Sequence, residues 1–119
     1  MPITTKYLFI ASMDVEPGKE AIFNEVYDTE HIPNLLKVPG VLSVTRLVAE
    51  PLTMSIGGEE RRVVAEGEPA YSAIYEIEGP EVLVSRQWGE AVEAGRWPGE
   101  VRPHTKNRRH VLRKVVSRD

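Results

Sequence analysis

The segment running from Lys6 to Asp14 is apolar on both of the faces a strand presents. Tyr7, Phe9, Ala11 and Met13 share one parity, and Leu8 and Ile10 share the other. The run is dense in Tyr, Phe and Ile and free of Gly and Pro, which reads as a strand. Successive strand side chains point to opposite sides of a sheet. A sheet with one wet side would alternate apolar with polar residues instead. Any sheet holding this strand therefore needs a cover on each face. With 119 residues the chain makes one domain, so the cover must come from its own few helices and from a partner over whatever they leave bare.

The rest of the chain supplies the elements. Pro17 suits the first turn of a helix, and Glu20 complements the helix dipole. Ile22, Phe23, Val26 and Tyr27 recur at helical spacing through about His31. Pro33 disfavours helical geometry at Ile32, so this helix is expected to end or kink just after His31, with one more turn through Leu35 and Leu36. Pro39-Gly40 turns the chain into a second strand, Val41 to Glu50. The segment at about 51–69 is an insertion. It reads as a mobile loop or as a hairpin pairing Met54–Ile56 with Arg62–Ala65 across Gly57-Gly58. Ala70 to Glu78 is a third strand. Pro80 opens a second helix to about Ala94, with Val82, Leu83 and Val92 as its apolar contacts. A loop with Trp97, Pro98, Pro103 and His104 precedes a fourth strand, Arg109 to Ser117. The order β-α-β-β-α-β across residues 1–119 is the split βαβ, an α+β fold of ferredoxin-like topology. It places a four-stranded antiparallel sheet beneath two helices on one face. The other apolar face predicts a second copy of the chain against it.

Composition narrows the chemistry. There is no cysteine, which removes disulfides, thiolate nucleophiles and thiolate metal sites. His31, His104 and His110 lack metal-ligand spacing, so no metal site is expected. No phosphate-cradling or dinucleotide fingerprint is present, and no cofactor is expected from the motifs. The longest purely apolar run, Tyr7 to Ala11, is far short of the about 20 residues that span a bilayer. No basic region followed by an apolar stretch opens the chain, so the expected location is cytoplasmic. Charge is uneven: residues 1–105 carry net −8 and residues 106–119 net +5. The basic end alternates with Val and Leu like a strand with solvated charges. It lacks the aromatic set of a nucleic-acid reader, so nucleic acid is not the expected partner.

Glu25-Val-Tyr27-Asp28-Thr-Glu30-His31-Ile-Pro33, followed by Val38-Pro39-Gly40-Val41 and a strand carrying Arg46, resembles the dimeric α+β barrel superfamily, and within it EthD-like bacterial proteins. Ala70-Tyr71-Ser-Ala-Ile-Tyr75-Glu76-Ile-Glu78 resembles their third strand. These segments cover about half the chain. The resemblance implies a homodimer with a pocket between sheet and helices. It does not choose a reaction, since the superfamily holds cofactor-free monooxygenases, isomerases, cyclases and haem-handling enzymes. Two functions follow. One is a cofactor-independent isomerase, cyclase or oxygenase acting on a small apolar oxygenated molecule. The other is a non-catalytic homodimer that binds a small ligand or a protein.

Several residues could carry such chemistry. Tyr27 and Asp28 lie four and three residues before His31, so both can neighbour it on a helix. An Asp there would hold the imidazole tautomer and favour its protonated form, as a general acid/base needs. The alternative makes His31 a C-terminal cap. Arg46, among apolar neighbours, needs an anionic partner. That partner is a substrate oxygen, or Glu76 or Asp28 in a structural pair. Tyr75 could hydrogen-bond a ligand or fill core. Trp88 and Trp97 could wall a pocket or pack a dimer, and Ser12 offers a small polar group. His104 is expected to be solvated. Haem stays open, with His31 as its conceivable axial ligand.

Overall fold

The computed structural model of the protein describes residues 3–118; residues 1–2 and 119, the ends of the expected domain, lie outside the described residues. Strand β1 (Tyr7–Val15) lies inside a four-stranded antiparallel sheet with β2 (Val41–Val48), β5 (Tyr71–Ile77) and β6 (Thr105–Lys114), in the order β2-β5-β1-β6. A separate hairpin joins β3 (Leu52–Ile56) to β4 (Glu59–Val63).

Register sorts the side chains into rows. Phe9 lies opposite Tyr75 and Leu112, and Tyr75 opposite Val44. Ala11 lies between Ala73 and His110, and Arg46 continues that row. These rows face the helices. On the reverse face Ile10 lies between Ile74 and Val111, and Ser12 between Ser72 and Arg109.

The first helical segment differs from expectation in a telling way. Helix α1 (Glu20–Val26) and helix α2 (Ile32–Leu36) are joined by a wider, π-helical turn over Tyr27–His31. The Ile32 amide donates to the Tyr27 carbonyl five residues back. Ile32 itself is helical (φ −61°, ψ −50°) despite preceding Pro33. Pro33 lacks an N–H, and its ring would strike the carbonyl four residues back in a regular helix; the extra residue in the turn before it relieves both. The winding thus changes twice, before Tyr27 and again just after His31 where a break is expected, and the last turn runs through Leu35 and Leu36; His31 sits inside the helical run rather than capping its end.

The second helix is also divided. A 3₁₀ turn over Pro80–Val84 stops at Ser85, whose backbone is extended (ψ 154°). The Ser85 hydroxyl then accepts from the Trp88 amide at 3.1 Å and caps helix α3 (Arg86–Ala91). The expected single helix to Ala94 is therefore a turn and a six-residue helix. After it, a π turn over Trp97–Val101 buries Trp97 and Val101, in what the sequence suggests is loop.

The core lies between sheet and helices: Phe23, Val26, Tyr27 and Leu35 pack on Ala11, Ala73, Tyr75 and Ile77. Residues 52–63 form a hairpin closed by Gly57 and Gly58, both at positive φ (62° and 81°), the paired geometry that a two-residue turn matching strand twist requires. That turn sets Ile56 opposite Glu59, so the returning strand starts at Glu59 rather than Arg62. Strand β6 likewise starts four residues before the expected Arg109.

Candidate functional site

A cavity of about 280 Å³ opens between the sheet and the helical layer. Its floor is Phe9, Ala11 and Met13; the small Ala11 gives it depth. Tyr27, His31 and Trp97 form one wall, Tyr75 and Trp88 another. Arg102, Arg108 and His110 line it as well.

His31 is placed here by its neighbours. Glu30, the residue before it, accepts from the Arg96 backbone N–H (2.9 Å) and from its guanidinium. This fastens the widened turn to the next segment and lays Trp97 flat on the imidazole, with centroids 4.1 Å apart and planes 15° apart. Tyr27 meets the same imidazole edge-on at 5.0 Å. The His31 side chain is buried, and its Nδ1 has no hydrogen-bond partner among the described residues. Burial, with a smaller contribution from the Arg102 charge, pushes its pKa down to about 4. The expectation that Asp28 would steady a protonated His31 is corrected: no hydrogen bond joins the two, and the imidazole is held neutral.

Asp28 is committed elsewhere. Its carboxylate lies 3.0 Å from the Arg46 guanidinium, which also donates to Asn24 at 2.7 Å. The Arg46 guanidinium lies over the Tyr27 ring at 4.8 Å and the Phe23 ring at 5.3 Å. Arg46 therefore sits behind Tyr27 and is absent from the lining of the His31 cavity. Of the two structural partners weighed for it, Asp28 is the one found. Glu76 instead accepts from the amides of Thr4 and Thr5 (2.7 and 3.2 Å) and from Ser43 Oγ (2.8 Å), bonds that hold its carboxyl below the usual range.

The hydroxyls of Tyr27 and Tyr75 share a hydrogen bond of 2.7 Å. Burial raises the pKa of both, so both are neutral phenols at pH 7. Two O–H groups joined by one hydrogen bond leave one hydrogen over. Trp88 packs edge-on against Phe9 and Tyr75, 5.7 Å from each. His104, expected in solvent, lies 2.8 Å from Glu16 and away from the cavity. Ser12 bonds Ser72 at 2.7 Å on the opposite face of the sheet.

Thus the structure gathers His31, Tyr27, Tyr75 and Trp88, and sets Asp28 and Arg46 apart. Arg102, Arg108 and His110 are the cavity residues that the sequence reading missed. Strand alternation could have found His110, which shares a face with Leu112. No local signal marks Arg102.

Among the described residues no group of three or more His, Asp or Glu could hold a metal ion, and no helix is long and apolar enough to cross a membrane. In the single chain the cavity is at the small end of the ~300–1,000 Å³ usual for ligand sites.

No protein-family model matches the chain, and no curated protein matches it. Solved structures do. A mutant of MhuD with two manganese protoporphyrin IX bound per active site aligns with a TM-score of 0.61 at 15% identity, over 95% of this chain and 97% of that one. An EthD family protein from Bacillus halodurans aligns at 0.54 and 11% identity, over 92% and 99%. A Bacillus cereus protein assigned to the antibiotic biosynthesis monooxygenases aligns at 0.59 and 21% identity, over 95% and 94%. At these identities the likeness is one of fold. The chain has the ferredoxin-like α+β fold that these three structures share.

Proposed function

We propose that this chain, on the fold it shares with EthD-family and antibiotic-biosynthesis-monooxygenase structures, is a cofactor-independent enzyme for a small, largely apolar, oxygenated molecule. The observation that carries the reading is the buried His31, its Nδ1 unpartnered, standing beside the coupled Tyr27–Tyr75 phenols in one cavity. An unpartnered buried nitrogen costs stability, a cost that an imidazole kept only for packing would not explain.

The chemistry follows from protonation states. A neutral imidazole can take a proton from a carbon next to a carbonyl. The spare phenol hydrogen donates to the carbonyl oxygen as negative charge gathers on it. The imidazolium then returns its proton to the same carbon or to another carbon of the enolate, which is an isomerisation. The phenol pair thus takes the oxyanion role that the sequence offered to Tyr75 or Arg46, whichever of Tyr27 and Tyr75 accepts in their shared bond having the free hydrogen. Arg46 and Asp28 act at one remove, holding the ring of Tyr27. Trp88 and Trp97 clasp the flat body of the substrate.

A second reading keeps the cavity and drops the turnover. The low pKa of His31 makes it a weak base and a good neutral hydrogen-bond partner, as a ligand-binding module needs. In either case two copies are proposed to dock through the bare sheet face.

One experiment parts these readings. Compounds that raise the melting temperature of the protein are incubated with it in D₂O, and exchange at the carbon beside their carbonyl is followed by NMR. The enzyme reading expects exchange with wild type and none with His31→Gln, which still binds. Binding without exchange in either protein selects the module, and a screen in which nothing binds removes both.

A further inference from the structure

Strand β6 carries a bulge where it passes the cavity. Ser12 pairs with Arg109 and Asp14 with Lys106, so residues 107 and 108 together face Met13. Asn107 is the only non-glycine at positive φ among the described residues (52°), a conformation that side-chain sterics disfavour. Its amide nitrogen is tied to Asp14 (3.0 Å) and to the Gly67 carbonyl (2.8 Å). Asp14 is itself fixed by the Ala70 amide at 2.9 Å. Bulges next to sites commonly re-aim a side chain, and the one re-aimed here is Arg108, which lines the cavity.

The charge there is one-sided. The lining holds two arginines and two histidines and no carboxylate. Arg102 is neutralised by a two-pronged pair with Glu93, at 2.9 and 2.8 Å. Arg109, the neighbour on the other face, is paired with Glu68 at 3.0 Å. Arg108 makes no hydrogen bond or ion pair among the described residues. Its charge falls on His110, whose pKa is lowered first by burial and then by Arg108. His110 in turn lies parallel to Phe9 on the floor, 5.8 Å away. A free guanidinium at an aromatic-walled cavity is a fork for a planar anion.

We infer that the β6 bulge presents Arg108 as the anion-docking residue of this cavity, so that its ligand is a flat aromatic or enolic molecule bearing a carboxylate. This rests on the reading of the cavity as a ligand site and adds the charge of the ligand. The carboxylate is held at Arg108 and the apolar body lies against Phe9 and Trp88, with the far end toward His31 and the phenol pair.

The test uses the full chain and two probes of one shape, 2-naphthoate and its neutral isostere 2-naphthamide. Affinity is read by titration calorimetry, and position by the ring-proton shifts of His31 and His110. Naphthoate is expected to bind about tenfold more tightly, as befits one charge-assisted contact near solvent. Arg108→Gln removes the difference and leaves naphthamide unchanged; Arg109→Gln, with the same loss of charge, leaves the preference intact. Equal affinities with both probes shifting the two histidines overturn the anion preference alone and leave the cavity reading standing. An Arg108→Gln protein that keeps the full preference also overturns it. If neither probe binds, both readings are overturned.

Discussion

His31 shows how far a residue's neighbours in sequence can mislead about its neighbours in space. The i−3 and i−4 spacing puts Tyr27 and Asp28 beside it in a regular helix. The widened turn and the pull of Arg46 leave Tyr27 at the imidazole and take Asp28 away. What could be read was that a polar cluster ends this helix. What could not was its protonation, because that is set by Trp97 and Arg102, from a segment 66 or more residues later. The consequence is measurable. An imidazole that titrates near 6.5 in the unfolded chain and at about 4 when folded leaves the unfolded state binding more protons between those values. Stability is therefore full above pH 6.5 and is lost as pH falls toward 4, by about 2–3 kcal/mol at pH 4.5 from this group. His31→Phe keeps a flat ring against Trp97 and removes the titration. Urea unfolding at pH 7 and pH 4.5 should show wild type losing that much more stability than the variant. Parallel losses would mean that the imidazole is hydrated in the folded state.

At the level of elements, the sheet was the legible part. Alternation in β1 puts Tyr7, Phe9, Ala11 and Met13 on one face, as found, and the fourth strand is present although it starts earlier than expected. Strand patterns survive because burial on a pleated surface has a period of two whatever the partner. Helix ends and irregular segments did not survive. Pro33 was tolerated by a π turn, which no periodicity announces. The stretch from Trp97 to Val101 buries both of those side chains, Trp97 by packing on Phe23 and Tyr27, contacts with no local pattern. Ser85 was legible in principle, since a serine three residues before Trp88 is an N-cap signal. Its cap hydrogen bond is the local tie that starts α3 and sets Trp88 against Phe9. Ser85→Ala should cost about 1 kcal/mol and lower the melting temperature by roughly 4 °C, while Ser85→Asp holds it. A thermal melt in which Ala and Asp behave alike would show that packing, not the cap, positions this helix.

The whole molecule is flatter and longer than a closed single unit. Its radius of gyration is 16.1 Å and its extents 51 × 39 × 19 Å, against about 13–14 Å expected for a compact chain of this length. Two features account for the excess. The hairpin of residues 52–63 is exposed along its whole length, with Leu52, Met54 and Ile56 at 44–47% exposure. A lone two-stranded hairpin is marginal in water. The sheet's reverse face shows Leu8, Ile10 and Ile74 half-buried and Leu47 and Val111 exposed, with no helix over it among the described residues. Both are costs that a second copy removes by burying apolar surface, at roughly 25 cal/mol per Å². A dimer through that face is accordingly expected at micromolar concentration in sedimentation equilibrium. Ile74→Lys sets a charge at the centre of the face and should give a monomer whose near-UV tryptophan signal, which comes from the other side of the sheet, is unchanged. Replacing residues 52–63 by a short Gly-Ser link should weaken the dimer and leave the tryptophan environment as it was. A wild-type monomer at 100 times that concentration would mean that water tolerates this apolar face, and the argument from the two-sided first strand to a partner would fail at its first step.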